Sequence, residues 1–167
     1  MNNPIKHISI FLGLFILQTL VLNQINVNGF INPYVFPLFI ILLPFDTKPW
    51  VLLLVGFSFG FFIDLFNGTM GMHAFATTLM AFLRPYFLNT FQPKSEKYNY
   101  PSLKNNGFAW LLVYVTSMLA IHHFCYFFIE AGSFSAFFLT LLLIIVSLII
   151  STIISFLLLF TFNSSKK

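Results

Sequence analysis

The stretch WVLLLVGFSFGFFIDLFNGTMGMHAFATTLMAFLRP, residues 50–85, decides the fold of this chain. It consists of two apolar runs joined by a short polar turn at residues 67–69. Because a helix rises 1.5 Å per residue, about 20 residues are enough to cross the hydrocarbon core of a bilayer. Each arm is long enough to do so, and the sequence therefore predicts a helical hairpin within a membrane.

The first arm of this hairpin carries Gly56, Gly60 and Asp64 at intervals of four residues, which places them on one helical face. Small residues let the backbones of membrane helices approach closely, and a carboxylate within a span faces protein or water rather than lipid. The stripe predicts a packing seam for a neighbouring helix. That helix belongs either to this chain or to a single-span partner.

The composition of the whole chain indicates a membrane protein. Of its 167 residues, 59% are apolar and 7% are charged, whereas soluble domains carry about 25% charged residues. The mean hydropathy is +0.92. The basic residues lie in loops between apolar runs, which is a signal of membrane topology and not of nucleic-acid binding. We therefore expect a single polytopic domain over residues 1–167 that contacts the lipid bilayer and no nucleic acid.

Successive apolar runs predict an all-α integral membrane protein with six transmembrane helices. Their expected bounds are about residues 8–23, 33–45, 49–66, 70–91, 108–130 and 134–162. The second run is the weakest, since it is short and contains three prolines, and a tilted, short or re-entrant segment is its alternative. The linkers 23–32, 67–69 and 131–133 contain no Lys or Arg, so the positive charges gather on the other side. This asymmetry predicts that both termini are cytoplasmic.

Asp64 is the only carboxylate within the hydrocarbon part of a predicted span, so it requires a polar partner. Asp64 and His73 lie at similar depths below the turn, whereas Arg84 lies roughly 22 Å away along the helix axis. A contact between Asp64 and His73 is therefore reasonable, and a salt bridge to Arg84 is not. Alternatively, Asp64 accepts hydrogen bonds from backbone N–H groups between Asn67 and Gly71. Either structural role is favoured over proton or substrate handling.

Arg84 is expected near the cytoplasmic end of the second arm, followed by Pro85, which should bend or break the helix. It is either an anchor whose charge reaches the membrane interface or a contact for an anionic partner surface or lipid headgroup. The two interpretations are weighed equally.

The predicted fifth helix carries His122, Tyr126 and Glu130 on one face, with His123 beside them. Such a stripe can relay protons. We favour the alternative, in which Glu130 lies at the outer boundary in water and the histidines form hydrogen bonds across helices. Cys125 is the single cysteine, which excludes an intramolecular disulfide and favours a role as a small apolar side chain.

The sequence contains no glycine-rich phosphate loop and no HExxH, CxxC or GxSxG motif. We therefore expect no enzymatic activity, no cofactor and no metal. The residues of interest are candidates for partner binding or helix packing: Gly56, Gly60, Asp64, Asn67, Gly68, Gly71, His73, Arg84 and Pro85.

The sequence GFFIDLFNGTMGMHAFATTLMAFLRP, residues 60–85, resembles the rod shape-determining MreD family of small bacterial inner-membrane proteins. The proline-bearing NPYVFPLFIILLPF, residues 32–45, is also similar to that family. The residues that carry the resemblance are Gly60, Asp64, Gly68, Gly71, Ala74, Arg84 and Pro85.

The resemblance implies a non-enzymatic scaffold of the cell-elongation machinery, which maintains cell shape and directs lateral peptidoglycan synthesis. Its partners would be an MreC-like single-span periplasmic protein and, through it, the MreB filament and peptidoglycan synthases. The resemblance also implies a fold like the substrate-binding subunits of energy-coupling-factor transporters. This kinship gives an alternative function, a vitamin-binding membrane subunit, with Asp64, Asn67, His73 and Glu130 toward its outer pocket.

Overall fold

The computed structural model describes residues 4–25, 32–91 and 100–164, and every regular element in these ranges is a helix. The first helix, α1, spans Pro4–Ile16 and continues as a π turn and a short 3-10 turn to Gln24. The remaining helices are α2 (Leu38–Ile41), α3 (Pro49–Asn67), α4 (Met72–Phe91), α5 (Leu103–Asn106), α6 (Phe108–Ala131) and α7 (Phe137–Ser164).

Four helices in the described ranges are long and apolar enough to cross a membrane. They cover His7–Gln24, Pro49–Asn67, Phe108–Ala131 and Phe137–Thr161. These helices confirm the predicted all-helical class and indicate a multi-pass membrane protein. The helix α4 is long but less apolar, and it is not among the four.

Helices α3 and α4 pack closely against each other as a hairpin. A Cβ atom on Gly60 would lie 2.5 Å from the carbonyl oxygen of His73 and 2.6 Å from the Cα of Ala74. A Cβ on Gly56 would lie 3.0 Å from the Cβ of Ala81. The glycines thus let the two backbones approach closely. The helix that lies against the seam of α3 is α4 of the same chain.

The prediction of a helix over residues 33–45 is wrong, because in this stretch only Leu38–Ile41 is α-helical. Proline has no N–H group and its ring disfavours a helical residue before it. Pro37 therefore allows a helix only after itself, and Pro44 follows its end. The segment of residues 32–45, here called the buried segment, is nevertheless inside the bundle, since every side chain from Pro33 to Ile41 is buried.

Side chains of other helices satisfy the backbone at the beginning of the buried segment. Gln18 donates to the carbonyl of Pro33 at 3.0 Å and accepts from the N–H of Val35 at 2.9 Å. The N–H of Tyr34 donates to the hydroxyl of Ser151 at 2.9 Å. Irregular backbone at membrane depth is tolerated only where protein or water satisfies its polar groups, and these bonds meet that condition.

The other end of the buried segment is held by Arg84 and Tyr114. The Tyr114 hydroxyl donates to the carbonyl of Ile41 at 3.0 Å, and Arg84 donates to the carbonyls of Leu43 and Pro44. The Arg84 Nε also donates to the Tyr114 oxygen at 2.8 Å. The two side chains therefore act as one clamp on the end of the segment.

Contacts between distant parts of the chain define two ends of the bundle. At the Trp110 end, Phe45 lies edge-on to Trp110 with ring centres 6.1 Å apart, and His7 stacks on Tyr100 at 6.3 Å. At the opposite end, called the Asn67 end, the side-chain amide of Asn23 donates to Asn67. The buried segment thus leads to the Trp110 end, where its last residues meet α6.

Candidate functional site

Asp64 caps the N-terminus of α4 at the Asn67 end. One carboxylate oxygen accepts from the N–H of His73 at 3.0 Å and from the hydroxyl of Thr69, and the other accepts from the N–H of Ala74 at 2.8 Å. The first N–H groups of a helix have no partner within it, and an anion there also interacts favourably with the helix dipole. Asp64 is 5% exposed, so this cap is buried.

From the sequence, Asp64 was expected either to contact His73 or to accept hydrogen bonds from backbone N–H groups. The second role is the one observed, but the donors lie later in the chain than expected. Both donor N–H groups belong to residues 73 and 74, beyond the expected range from Asn67 to Gly71. The reason is that Met70 and Gly71 both have positive φ angles, so α4 begins at Met72 and not at 70. The imidazole of His73, the other expected partner, makes no hydrogen bond within the described residues.

The turn between the two arms contains the remaining candidates at this end. Gly68 ends α3 in the left-handed region, with φ of +69°, and its N–H donates to the carbonyl of Asp64 at 2.8 Å. A side chain at Gly71, with φ of +90°, would be strained by the backbone alone. Asn67 ties the turn to the end of the first span through its bond with Asn23.

Arg84 lies far from Asp64 and does not serve as an interfacial anchor. Its side chain is only 1% exposed, and its hydrogen-bond partners in the described chain are the uncharged groups of Leu43, Pro44 and Tyr114. Both sequence-based interpretations had placed its charge at an exposed surface. They missed the internal role because it depends on the buried segment, which was expected to be a regular helix with its own hydrogen bonds. The helix α4 continues through Pro85 to Phe91.

A cluster of aromatic and imidazole rings lies at the centre of the bundle. The rings of His73 and Tyr126 stack with centres 4.2 Å apart, and His122 lies parallel to His73 at 5.8 Å. Tyr34 of the buried segment packs edge-on against His73 at 4.7 Å. Both histidines are fully buried, and within the described residues none of their four ring nitrogens has a hydrogen-bond partner.

The neighbouring polar groups on α6 are paired. His123 lies 2.8 Å from the carbonyl of Leu119 through one ring nitrogen and 3.0 Å from the Ser151 hydroxyl through the other. Tyr126 donates to Glu130 at 2.9 Å, where Glu130 is exposed at the helix end. Within the described residues, hydrogen bonding across helices therefore holds for His123 and not for His122. In the parts of the chain that the structure describes, no three potential ligands converge on a metal position.

A groove of about 730 Å³ lies along the outer side of the hairpin, near the Asn67 end. We call it the lateral groove. Small residues of α4 and exposed aromatic rings from both helices line it, together with Asp64 and residues of the turn. Its lining includes the small residues Gly71, Ala74 and Thr78 and the rings of Phe57, Phe61 and Phe75.

Sequence reasoning missed Gln18, which is fully buried and forms hydrogen bonds to the buried segment. Its signal was present, because an amide in the middle of an apolar span requires a polar partner. Comparisons of the chain with protein-family models, with curated proteins and with solved structures found no match.

Proposed function

We propose that this protein is a non-enzymatic membrane scaffold that binds the transmembrane helix of a single-span partner in the lateral groove. The observation that carries the proposal is the line of small residues Gly71, Ala74 and Thr78 beside exposed aromatic rings. Lipid tails are as apolar as leucine side chains, so membrane helices associate through close packing and not through the hydrophobic effect. A groove lined by small residues is the surface that such packing uses.

The spacing within the groove suits a helix as its occupant. Ala74 and Thr78 are four residues apart on α4, which is the small-xxx-small pattern of membrane helix interfaces. The hydroxyl of Thr78 donates to the carbonyl of Ala74 at 2.6 Å, so it needs no bond from the occupant. The rings of Phe57 and Phe61 on α3 are 5.9 Å apart and nearly parallel, and they supply apolar contact area.

In the proposed topology the chain crosses the bacterial cytoplasmic membrane six times, and both termini are cytoplasmic. The buried segment is then the second crossing. The Trp110 end gathers His7, the charged turn at residues 46–48 and Tyr100, whereas the turn at the Asn67 end contains no Lys or Arg. This distribution supports the Trp110 end as the cytoplasmic one.

The resemblance to the MreD family supplies the cellular context of the proposal. The occupant of the groove would be an MreC-like single-span periplasmic protein, linked to the MreB filament and to peptidoglycan synthases. The protein would then regulate cell shape by holding these partners together. The alternative of a vitamin-binding transporter subunit has less support, because both oxygens of Asp64 are engaged within the chain and His73 is fully buried.

The proposal is tested by filling the groove with one bulky side chain. Thr78→Phe places a ring in the groove, and Thr90→Phe is a matched control on the same helix, since Thr90 is exposed and its hydroxyl bonds to Tyr86 in the same i−4 manner. We expect Thr78→Phe to reduce co-purification of an MreC-like protein from native membranes roughly tenfold, by loss of close packing. We expect Thr90→Phe to leave it unchanged.

Photo-crosslinking identifies the occupant directly. A photoreactive phenylalanine analogue at Phe75 faces the groove, and one at Phe82 on the same helix is exposed but does not line it. The proposal requires a crosslink to a single-span protein at Phe75 and not at Phe82. Crosslinks to lipid alone at both positions would refute the scaffold, and recovery of paired ATPases would favour the transporter alternative.

A further inference from the structure

A second cavity, of about 310 Å³, lies at the Trp110 end between the turn before α3 and the second half of α4. Its polar lining consists of Asp46, Thr47, Lys48, Arg84 and Asn89. We propose that this cavity binds a phosphate-bearing anion, which is either the headgroup of an anionic lipid or free phosphate. The proposal does not depend on the scaffold function, because the cavity is at the opposite end of the hairpin from the lateral groove.

The first support is the charge of Arg84. A guanidinium is always protonated in proteins, and a buried charge is stable only when it is paired or well hydrogen-bonded. Arg84 is 1% exposed, and in the described residues it forms hydrogen bonds to neutral oxygens and no ion pair with a carboxylate. Within the described residues its charge has no direct ion-pair partner, and an anion in the cavity beside it would supply one.

The second support comes from the other groups around the cavity. Lys48 adds a second positive charge, and the side-chain amide of Asn89 offers further hydrogen-bond donors. Asp46 is the one acidic residue in the lining, so the formal charge of the lining is +1, from two cations and one anion. The helix α3 also begins here, at Pro49, and its dipole favours a negative charge at this end.

The third support is the level of the cavity in the membrane. Trp50, next to the cavity, is 63% exposed, and exposed tryptophans are typical of the membrane interface where headgroups lie. The guanidinium of Arg84 already donates to Leu43, Pro44 and Tyr114, so it attracts the anion through its charge and not as a bidentate donor. A phosphate group is thus the anion that both the position and the chemistry of the cavity favour.

The test uses the full chain purified in detergent, with thermal unfolding followed in the presence of three probes. These are phosphatidylglycerol, phosphatidylcholine and inorganic phosphate. A ligand that binds the folded state raises the midpoint of unfolding. We expect phosphatidylglycerol to raise it and phosphatidylcholine to have no such effect. An equal effect of inorganic phosphate would assign free phosphate as the ligand, and a smaller one would assign the lipid.

Variants that leave Arg84 in place separate binding from folding. Lys48→Gln combined with Asn89→Asp changes the formal charge of the lining from +1 to −1, and both side chains are exposed. We expect the apparent affinity for the anionic probe to fall roughly tenfold or more. Lys104→Gln is the control, since it removes one exposed positive charge outside the cavity. The proposal is overturned by equal responses to both lipids together with no response to phosphate, or by equal losses of affinity in the variant that combines Lys48→Gln with Asn89→Asp and in the Lys104→Gln variant.

Discussion

The hairpin of α3 and α4 and the buried segment satisfy their backbone hydrogen bonds in opposite ways. Every backbone polar group inside a bilayer needs a hydrogen-bond partner. In the hairpin the helices supply these bonds internally, and the sequence contributes mainly by omitting side chains at Gly56 and Gly60. In the buried segment, prolines prevent a regular helix, and polar side chains such as Gln18 and Arg84 supply the bonds.

Substitutions are therefore expected to destabilise the hairpin and the buried segment for different reasons. At Gly60 there is no space for added atoms, so the neighbouring backbone must move before any larger residue fits. At Gln18 there is space for an isosteric apolar side chain, but the partners would lose their hydrogen bonds. Steric and polar effects are therefore separable by mutation.

The largest effect is expected for Gly60→Leu. Even its Cβ atom would lie 2.5 Å from the carbonyl oxygen of His73, which is backbone and cannot turn away. We expect the folded state to be destabilised by more than about 3 kcal/mol, since overpacking against backbone exceeds the usual range. The measurement is the recovery of monodisperse protein in detergent and its midpoint of unfolding.

Gly13→Leu is the control for this substitution, because no atom lies within 4 Å of a Cβ built on Gly13. Its stability should remain within about 1 kcal/mol of the wild type. Equal recovery of the Gly60→Leu and Gly13→Leu proteins would show that the seam of α3 is not closely packed.

An intermediate effect is expected for Gln18→Leu. This change keeps the approximate volume but leaves the carbonyl of Pro33 and the N–H of Val35 without their partner. Each unsatisfied buried group costs about 1–3 kcal/mol, so we expect a loss of roughly 3 kcal/mol in the free energy of unfolding. Gln24→Leu, at an exposed position beyond the π turn, serves as the comparison and should be nearly neutral. Similar stability of both variants would show that the hydrogen bonds of Gln18 to the buried segment do not stabilise the fold.

The smallest effect is expected for His122→Phe. The imidazole of His122 is fully buried, and its two nitrogens have no partner in the described chain. Replacing an unsatisfied polar ring by an apolar ring loses no hydrogen bond, so stability should stay within about 1 kcal/mol of wild type or rise. His123→Phe is the contrast, because it removes the contact with Ser151 and should destabilise the protein by about 1–2 kcal/mol. A clear loss in His122→Phe would reveal a partner of that ring.

Much of the hairpin was predictable from the sequence because its determinants are local. Gly56, Gly60 and Asp64 fall on one face by helical geometry alone, and two of the positive-φ positions in the turn, 68 and 71, are glycines. The identity of the neighbouring helix was not predictable, since α4 and an external partner helix require the same small residues.

The buried segment was predicted poorly because its conformation depends on residues far away in sequence. Gln18 lies 15 residues before Pro33, and Ser151 lies 117 residues after Tyr34. The composition of an apolar run is the same whether the run forms a buried helix or a buried irregular segment. The three prolines argue against a regular helix over residues 33–45, but tertiary contacts decide whether the segment is helical or irregular.

The modest hydropathy of α4 has a consequence for how the protein is made. In the proposed topology α4 crosses the bilayer, yet it carries Arg84 and is not among the helices apolar enough to do so alone. An arginine within a span opposes insertion, by about 2.5–3.5 kcal/mol at the bilayer centre and by less toward the interface where Arg84 lies. The strongly apolar α3 leaves the ribosome first. Its Asp64 caps the N-terminus of α4, and its glycines allow α4 to pack closely against it. The two helices are therefore expected to enter the membrane together as a preassembled pair, with synthesis of α3 as the prerequisite for integration of α4.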